Sequence, residues 1–198
     1  MRNSLCILLF GLGVTTAPAM WAQEKDQGGQ ASRLELYGGY NYVRFNINAS
    51  ASVLQPSSQT FNANGGGGQL VYNVNHWLGV LGDVSGYWAT NGTKAGAAMP
   101  YLFGPRANIR RGNVTPFVQT LFGGILTSSG IATLGWQTHL GWQTNFAMAV
   151  GGGVDARVSR HISFRPVEAE YLLTKIPDGL NNRQNNFRFG AGIVFRFG

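Results

Sequence analysis

Residues 186 to 197 alternate with a period of two. Phe187, Phe189, Ala191, Ile193, Phe195 and Phe197 fall on one face, and Asn186, Arg188, Gly190, Gly192, Val194 and Arg196 fall on the other. A soluble sandwich strand also alternates, but it hides its apolar face. Here the small and charged face, with Gly190 and Gly192 between Arg188 and Arg196, suits a cramped, charged interior, which puts the Phe row outside against lipid. Seven earlier stretches alternate in the same way: Arg33 to Phe45, Thr60 to Asn73, Trp77 to Ala89, Met99 to Arg110, Val114 to Leu126, Asn145 to Val158, and Ile162 to Thr174. With Asn185 to Phe197 they make eight predicted strands, each long enough for the ~9 to 11 residues of a tilted membrane strand.

The connections alternate in length. Asn73 to His76, Arg111 to Asn113, and Ser159 to His161 are short and rich in Asn, Gly and Ser, as hairpin turns are. Asn46 to Gln59, Thr90 to Ala98, Thr127 to Thr144, and Lys175 to Gln184 are longer. Tight turns at one end and long loops at the other fit an outer-membrane barrel with periplasmic turns, extracellular loops and both termini periplasmic. The fold class that follows is all-β, an eight-stranded antiparallel up-and-down transmembrane β-barrel.

Facing follows strand by strand. Leu78, Val80, Val84 and Trp88 oppose Asp83, Ser85 and Tyr87; Tyr101, Phe103, Ala107 and Ile109 oppose Arg106 and Asn108; Phe146, Met148, Val150 and Val154 oppose Asp155 and Arg157. In the seventh strand Val167, Ala169, Tyr171 and Leu173 oppose Glu168 and Glu170, while Arg165 falls on the apolar parity. Pro166 lacks a ladder donor, so a bulge there would flip the register and turn Arg165 inward. Trp77, Trp88, Tyr101, Phe117, Phe164 and Tyr171 lie near strand ends, where aromatic girdles belong.

Composition removes the soluble alternatives only in part. Charged residues are 12% of the chain, about half the usual globular share, and Gly reaches 29 of 198 residues. Beyond residue 20 no run approaches the ~20 apolar residues of a spanning helix, and alternation reconciles that with so few charges. The formal charge of +7 suits an anionic lipid surface as well as ordinary solvation. No interleaving of basic and aromatic residues points to nucleic acid.

Residues 1 to 22 have the form of a secretory signal: Arg2, an apolar stretch from Leu5 to Val14, then Ala17, Ala19 and Ala22, with cleavage expected after Ala19 or Ala22. Residues 23 to 32 follow as a polar linker, and 33 to 198 form the barrel domain. Cys6 lies inside the signal, so the exported chain is stabilised without disulfides, and closing the sheet does that by pairing every edge.

Together the signal, the eight alternating strands, the asymmetry of loops and turns, and the terminal Phe195-Arg196-Phe197 resemble the bacterial outer-membrane β-barrel family of OmpA/OmpX type, as a bare barrel with no periplasmic domain. The resemblance is one of architecture over residues 33 to 198. It implies that Phe195 and Phe197 carry the signal read by the barrel-assembly machinery, although Gly198 departs from the family pattern by following the terminal aromatic. Partners expected on this reading are outer-membrane lipid, lipopolysaccharide and, during biogenesis, the assembly machinery; the chain is expected to be a monomer and to need no cofactor or metal.

An eight-stranded barrel is just wide enough to be filled by side chains. The expected inward charges are Glu35, Asp83, Asp155, Glu168 and Glu170 against Arg106, Arg157, Arg188 and Arg196, near balance as a low-dielectric interior requires. Adjacency and height suggest three pairs: Asp83 with Arg106, Glu170 with Arg188, and Glu35 with Arg196. Such pairs act either as static polar packing or as a gate for a narrow path. Functionally this favours a non-enzymatic barrel with a structural or surface-interaction role and narrow passive permeability at most.

Two alternatives compete. His161-Ile162-Ser163 has the His-x-Ser spacing of lipid-deacylating barrels, in which His activates a Ser nucleophile. A soluble lipocalin-like barrel is the other, and it requires the Phe row of the last strand to point inward. The glycines Gly65 to Gly68 and Gly151 to Gly153 read as room for bulky interior neighbours or for sharp bending rather than as phosphate loops. Ile131, Leu134, Trp136, His139 and Trp142 make the loop from Thr127 to Thr144 apolar enough to pack over the barrel mouth or to contact lipopolysaccharide.

Overall fold

Period-two alternation leaves each strand with an apolar and a polar face, and neither is buried until the sheet curls on itself. The computed structural model describes residues 32–52, 55–91, 94–128, 141–176 and 183–198, and their side chains except in 47–61 and 89–95. Residues 1 to 31, expected to be the signal and most of the linker, and Ile131, Leu134, Trp136 and His139 lie outside the described residues. Eight strands follow in order: β1 (Leu34–Ser52), β2 (Gln55–Asn73), β3 (Leu78–Asn91), β4 (Lys94–Asn108), β5 (Val114–Thr127), β6 (Gln143–Arg157), β7 (Ile162–Thr174) and β8 (Gln184–Phe197). Each pairs with its neighbour in sequence, and β1 pairs with β8 from Leu34↔Phe197 to Arg44↔Phe187, closing the barrel.

Local chemistry makes the tight turns. The Asn75 side-chain oxygen accepts hydrogen bonds from the backbone N–H groups of Trp77 and Leu78 at 2.9 and 2.8 Å, and the Ser159 hydroxyl accepts one from Ile162 at 3.1 Å. Gly112 turns the β4–β5 connection at φ +56°, a left-handed conformation that glycine adopts without strain.

At the opposite end two of the expected long loops are mostly strand. β1 and β2 go on pairing to Ser52↔Gln55, past the end of the β1–β8 ladder at Arg44 and of the β2–β3 ladder at Asn64, and β3 and β4 pair to Asn91↔Lys94. The Asn-, Ser- and Gln-rich sequence there reads as a loop because it lacks an apolar face. A two-stranded ribbon beyond the bilayer needs only backbone pairing.

The faces are inverted relative to a soluble barrel. Phe187, Phe189, Ile193, Phe195 and Phe197 are 41% to 49% exposed on the outside, whereas Arg106, Arg165 and Asp155 are fully buried inside. That orientation removes the lipocalin-like alternative. Trp77, Trp88, Tyr101 and Phe164 also face outward, as a girdle requires, but Phe117 points into the barrel. Its place near a strand end suggested the girdle; its parity with buried Thr115 and Gln119 turns it in.

Inside, apolar and charged side chains share the lumen. Val43, Phe45, Ala63, Tyr87, Ala98, Leu102, Ile125, Ala147 and Leu172 belong to an apolar cluster that also takes in Val71, Leu81, Leu121 and Ala149. It flanks the charged residues: Val43 stands opposite Arg188 and Leu102 opposite Asp83 in the strand registers. Glycines make the room that the bulky side chains occupy: a Cβ on Gly192 would stand 2.7 Å from the Tyr37 ring, and one on Gly153 would stand 2.8 Å from the Phe117 ring.

Candidate functional site: an ion-pair layer across the barrel

The β7 bulge sets the centre of the layer. Asp155 on β6 faces the interval between Phe164 and Val167, because the β6–β7 register slips between Val154 and Ala156, and the β7–β8 register slips between Arg165 and Glu168. Proline fits here because it has no N–H to lose from the ladder. The slip brings both Arg165 and Glu168 inward, three residues apart, in place of the usual two.

Arg165 then spans the lumen. Its Nε donates to Asp155 Oδ1 at 2.7 Å and its Nη2 donates to Oδ2 at 3.2 Å, a two-pronged contact. Its Nη1 donates to Glu168 Oε2 at 3.0 Å and to the Gln69 side-chain oxygen at 2.7 Å. The guanidinium plane packs 4.2 Å from the Tyr37 ring centroid and 4.4 Å from that of Phe117.

Two more arginines extend the layer. Arg106 donates to Asp155 Oδ2 at 2.6 Å and to the Asn108 side-chain oxygen at 2.9 Å, and lies 3.6 Å over Phe117. Arg188 donates to both Asp83 oxygens at 2.9 and 3.2 Å and, through Nε, to Glu170. Gln69 and Gln119 join the clusters: Gln69 Nε2 donates to Asp83 at 3.1 Å and to Glu168 at 2.8 Å, and Gln119 Nε2 donates to Glu168 at 2.7 Å and to Glu170 at 2.8 Å. The result is one continuous network drawing on β2 to β8, with Tyr37 of β1 stacked against it.

Of the three expected pairs, Glu170 with Arg188 is present as a buried ion pair. Glu35 and Arg196 are opposite each other in the β1–β8 register, but their closest charged atoms are 4.0 Å apart. Asp83 and Arg106 do not pair. Arg106 stands opposite Gly79 and Asp83 opposite Leu102, so the two are four positions out of step, about 13 Å along the strand. Their partners lie elsewhere in the lumen, Arg188 for Asp83 and Asp155 for Arg106. Arg157 shares the inward parity of Asp155 yet is exposed, because it stands at the end of β6 where the barrel opens. Phe195 and Phe197 face outward at the turn end of β8.

The network also holds residues outside the expected charged set. In the sequence Arg165 is signalled only by the bulge expected at Pro166. Gln69 and Gln119 carry no charge, and their inward parity was the one available signal. Arg110, just beyond β4, donates to Glu35 at 3.3 Å and to the His76 carbonyl.

The geometry also answers the His-x-Ser reading. Ser163 is buried and its hydroxyl has no hydrogen-bond partner, while His161 is exposed in the turn. They do not form the hydrogen-bonded couple that nucleophile activation needs. Among the described residues no group of three or more His, Cys, Asp or Glu side chains could hold a metal ion.

Comparison with known proteins agrees with the architecture. The family described as outer membrane protein beta-barrel domain matches residues 6–195. No curated protein matches. Among solved structures, Neisserial surface protein A superposes with a TM-score of 0.58 at 15% identity, covering 84% of this chain and 98% of that one. OprG of Pseudomonas aeruginosa gives 0.52 at 14% identity, covering 85% and 97%, and the N-terminal barrel domain of OprF from the same organism gives 0.50 at 12%, covering 85% and 100%. At these identities the likeness is one of fold.

Proposed function

Because this chain belongs to the outer membrane protein beta-barrel family and is a barrel of the bacterial outer membrane, we propose that it works as a closed structural and surface-interaction barrel rather than as a pore or an enzyme. The observation that carries this reading is the ion-pair layer: Arg106, Arg165 and Arg188, each 3% exposed or less, span the lumen with their acidic partners. An apolar cluster packs against that layer within the lumen. Static packing is favoured over gating because each carboxylate in the layer is held by more than one donor, so opening would have to break several buried bonds together.

The turn end is periplasmic in this proposal and the long connections face outward, where lipopolysaccharide and surface partners are met. The outward Phe195 and Phe197 at the turn end of β8 are the segment offered to the assembly machinery, and the barrel acts as a monomer. Support for this orientation comes from the length asymmetry, with three turns of a few residues opposite the extended β1–β2 and β3–β4 ribbons.

Cysteine labelling tests the orientation. In a Cys6→Ser background, a membrane-impermeant maleimide should label Lys175→Cys on intact cells and Arg160→Cys only after lysis; the opposite pattern overturns the orientation. The non-enzymatic reading predicts that lipid A species are unchanged between cells carrying the wild type and cells carrying His161→Ala, and a changed lipid A profile overturns it.

A further inference from the structure

Outside the central layer, the turn-side mouth carries an excess of positive charge. Arg33, Arg110, Arg111, Arg157, Arg160 and Arg196 gather there against the Glu35 carboxylate, with Asp155 of the central layer also within electrostatic reach of Arg196. Glu35 is already engaged: Oε1 accepts from Asn73 Nδ2 at 3.0 Å and from Arg110 Nη2 at 3.3 Å. Arg196 is left 4.0 Å from the same oxygen, 5% exposed, with its Nε lacking any hydrogen-bond partner. Arg110 and Arg157 both lie within electrostatic reach of it.

A buried guanidinium with an unfilled donor is unfavourable unless something accepts from it. The hydroxyl of Ser163, at the turn end of β7, is also unfilled. The Glu35 oxygen nearest Arg196 already serves two donors, so the mouth is richer in donors than in acceptors. Guanidinium groups present forked donors that match a tetrahedral oxyanion, and their charge here exceeds that of the carboxylate.

We propose that the turn-side mouth binds a phosphate-type oxyanion between Arg110, Arg157 and Arg196, with Arg196 as its buried anchor and Arg157 as its exposed rim contact. Free phosphate and the phosphodiester of a phospholipid headgroup share this chemistry. Either is reachable, because Arg157 is exposed and Arg110 is only partly covered.

Phosphate titration of the full chain, folded in detergent and checked by heat-modifiable gel mobility, tests the site. Saturable binding of inorganic phosphate is expected, weakened about tenfold by Arg196→Gln and by less in Arg157→Gln. Lys175→Gln, exposed at the opposite end of the barrel, should leave it unchanged. If the headgroup is the natural source, binding to vesicles containing phosphatidylglycerol, over phosphatidylcholine alone, falls in Arg157→Gln and is unchanged in Lys175→Gln. Absence of both phosphate and phosphatidylglycerol binding, or equal loss in Lys175→Gln and Arg157→Gln, overturns the proposal. Arg157 is exposed, so its variant keeps the test decisive if Arg196→Gln does not fold.

Discussion

Arg165 grips Asp155 with two prongs across the β6–β7 bulge, 2.7 Å from Nε to Oδ1 and 3.2 Å from Nη2 to Oδ2. Both side chains are fully buried. Removing one member leaves the other as an uncompensated charge. Arg165→Ala should therefore destabilise the barrel by about 3 to 5 kcal/mol, read as a lower urea midpoint for unfolding from lipid vesicles. Arg160→Ala, in the exposed turn, should change stability by less than about 0.5 kcal/mol. Equal effects would mean that the layer does not hold the barrel together.

The choice of partners can be measured by double-mutant cycles. Asp83 and Arg188 share two hydrogen bonds, so their truncations should be non-additive by about 0.5 to 3 kcal/mol. Asp83 and Arg106 are out of register on adjacent strands, and their cycle should close to within about 0.5 kcal/mol. Strong coupling in the second cycle would restore the pairing expected from adjacency.

Gly192 is tightly enclosed and Gly82 is not. A Cβ at 192 would meet the Gly38 carbonyl oxygen, with the Gly39 Cα 2.6 Å away and the Tyr37 ring 2.7 Å away, whereas nothing lies within 4 Å of one at 82. Gly192→Ala should lower stability by about 1 to 3 kcal/mol and reduce the heat-modifiable fraction, while Gly82→Ala should be close to neutral. A harmless Gly192→Ala would show that the interior has slack.

Depth in the bilayer should grade substitutions on the outer face of β8. Ile193→Arg, near the middle of the strand, should destabilise by about 2 to 4 kcal/mol, and Phe197→Arg, at its turn end, by about 0 to 1 kcal/mol. Equal small effects at both positions would place this face out of the hydrocarbon.

The strands were legible because period-two alternation is a direct consequence of pleating, and it survives wherever one face meets lipid and the other a filled lumen. β7 matches its expected bounds, Ile162–Thr174, and the Pro166 bulge that turns Arg165 inward was readable from proline's missing donor. The β1–β2 ribbon was not readable, since beyond the bilayer no face needs to be apolar. Partner choice was hidden for a different reason. Sequence adjacency ranks neighbours along the barrel wall, but a long arginine reaches across the lumen, as Arg188 on β8 reaches Asp83 on β3. Charge balance alone does not point to Gln69 and Gln119, which are neutral and join the network only as hydrogen-bonding groups.

The most direct test of a closed barrel is planar-bilayer conductance of the folded full chain. With the lumen filled by Arg106, Arg165, Arg188 and their carboxylate partners, wild type should show no sustained open-channel current, and removing a lumen-spanning side chain, as in Arg188→Ala, should raise the frequency of openings. A steady, ohmic open state in the wild type would contradict the closed interior and the non-transporting role inferred from it.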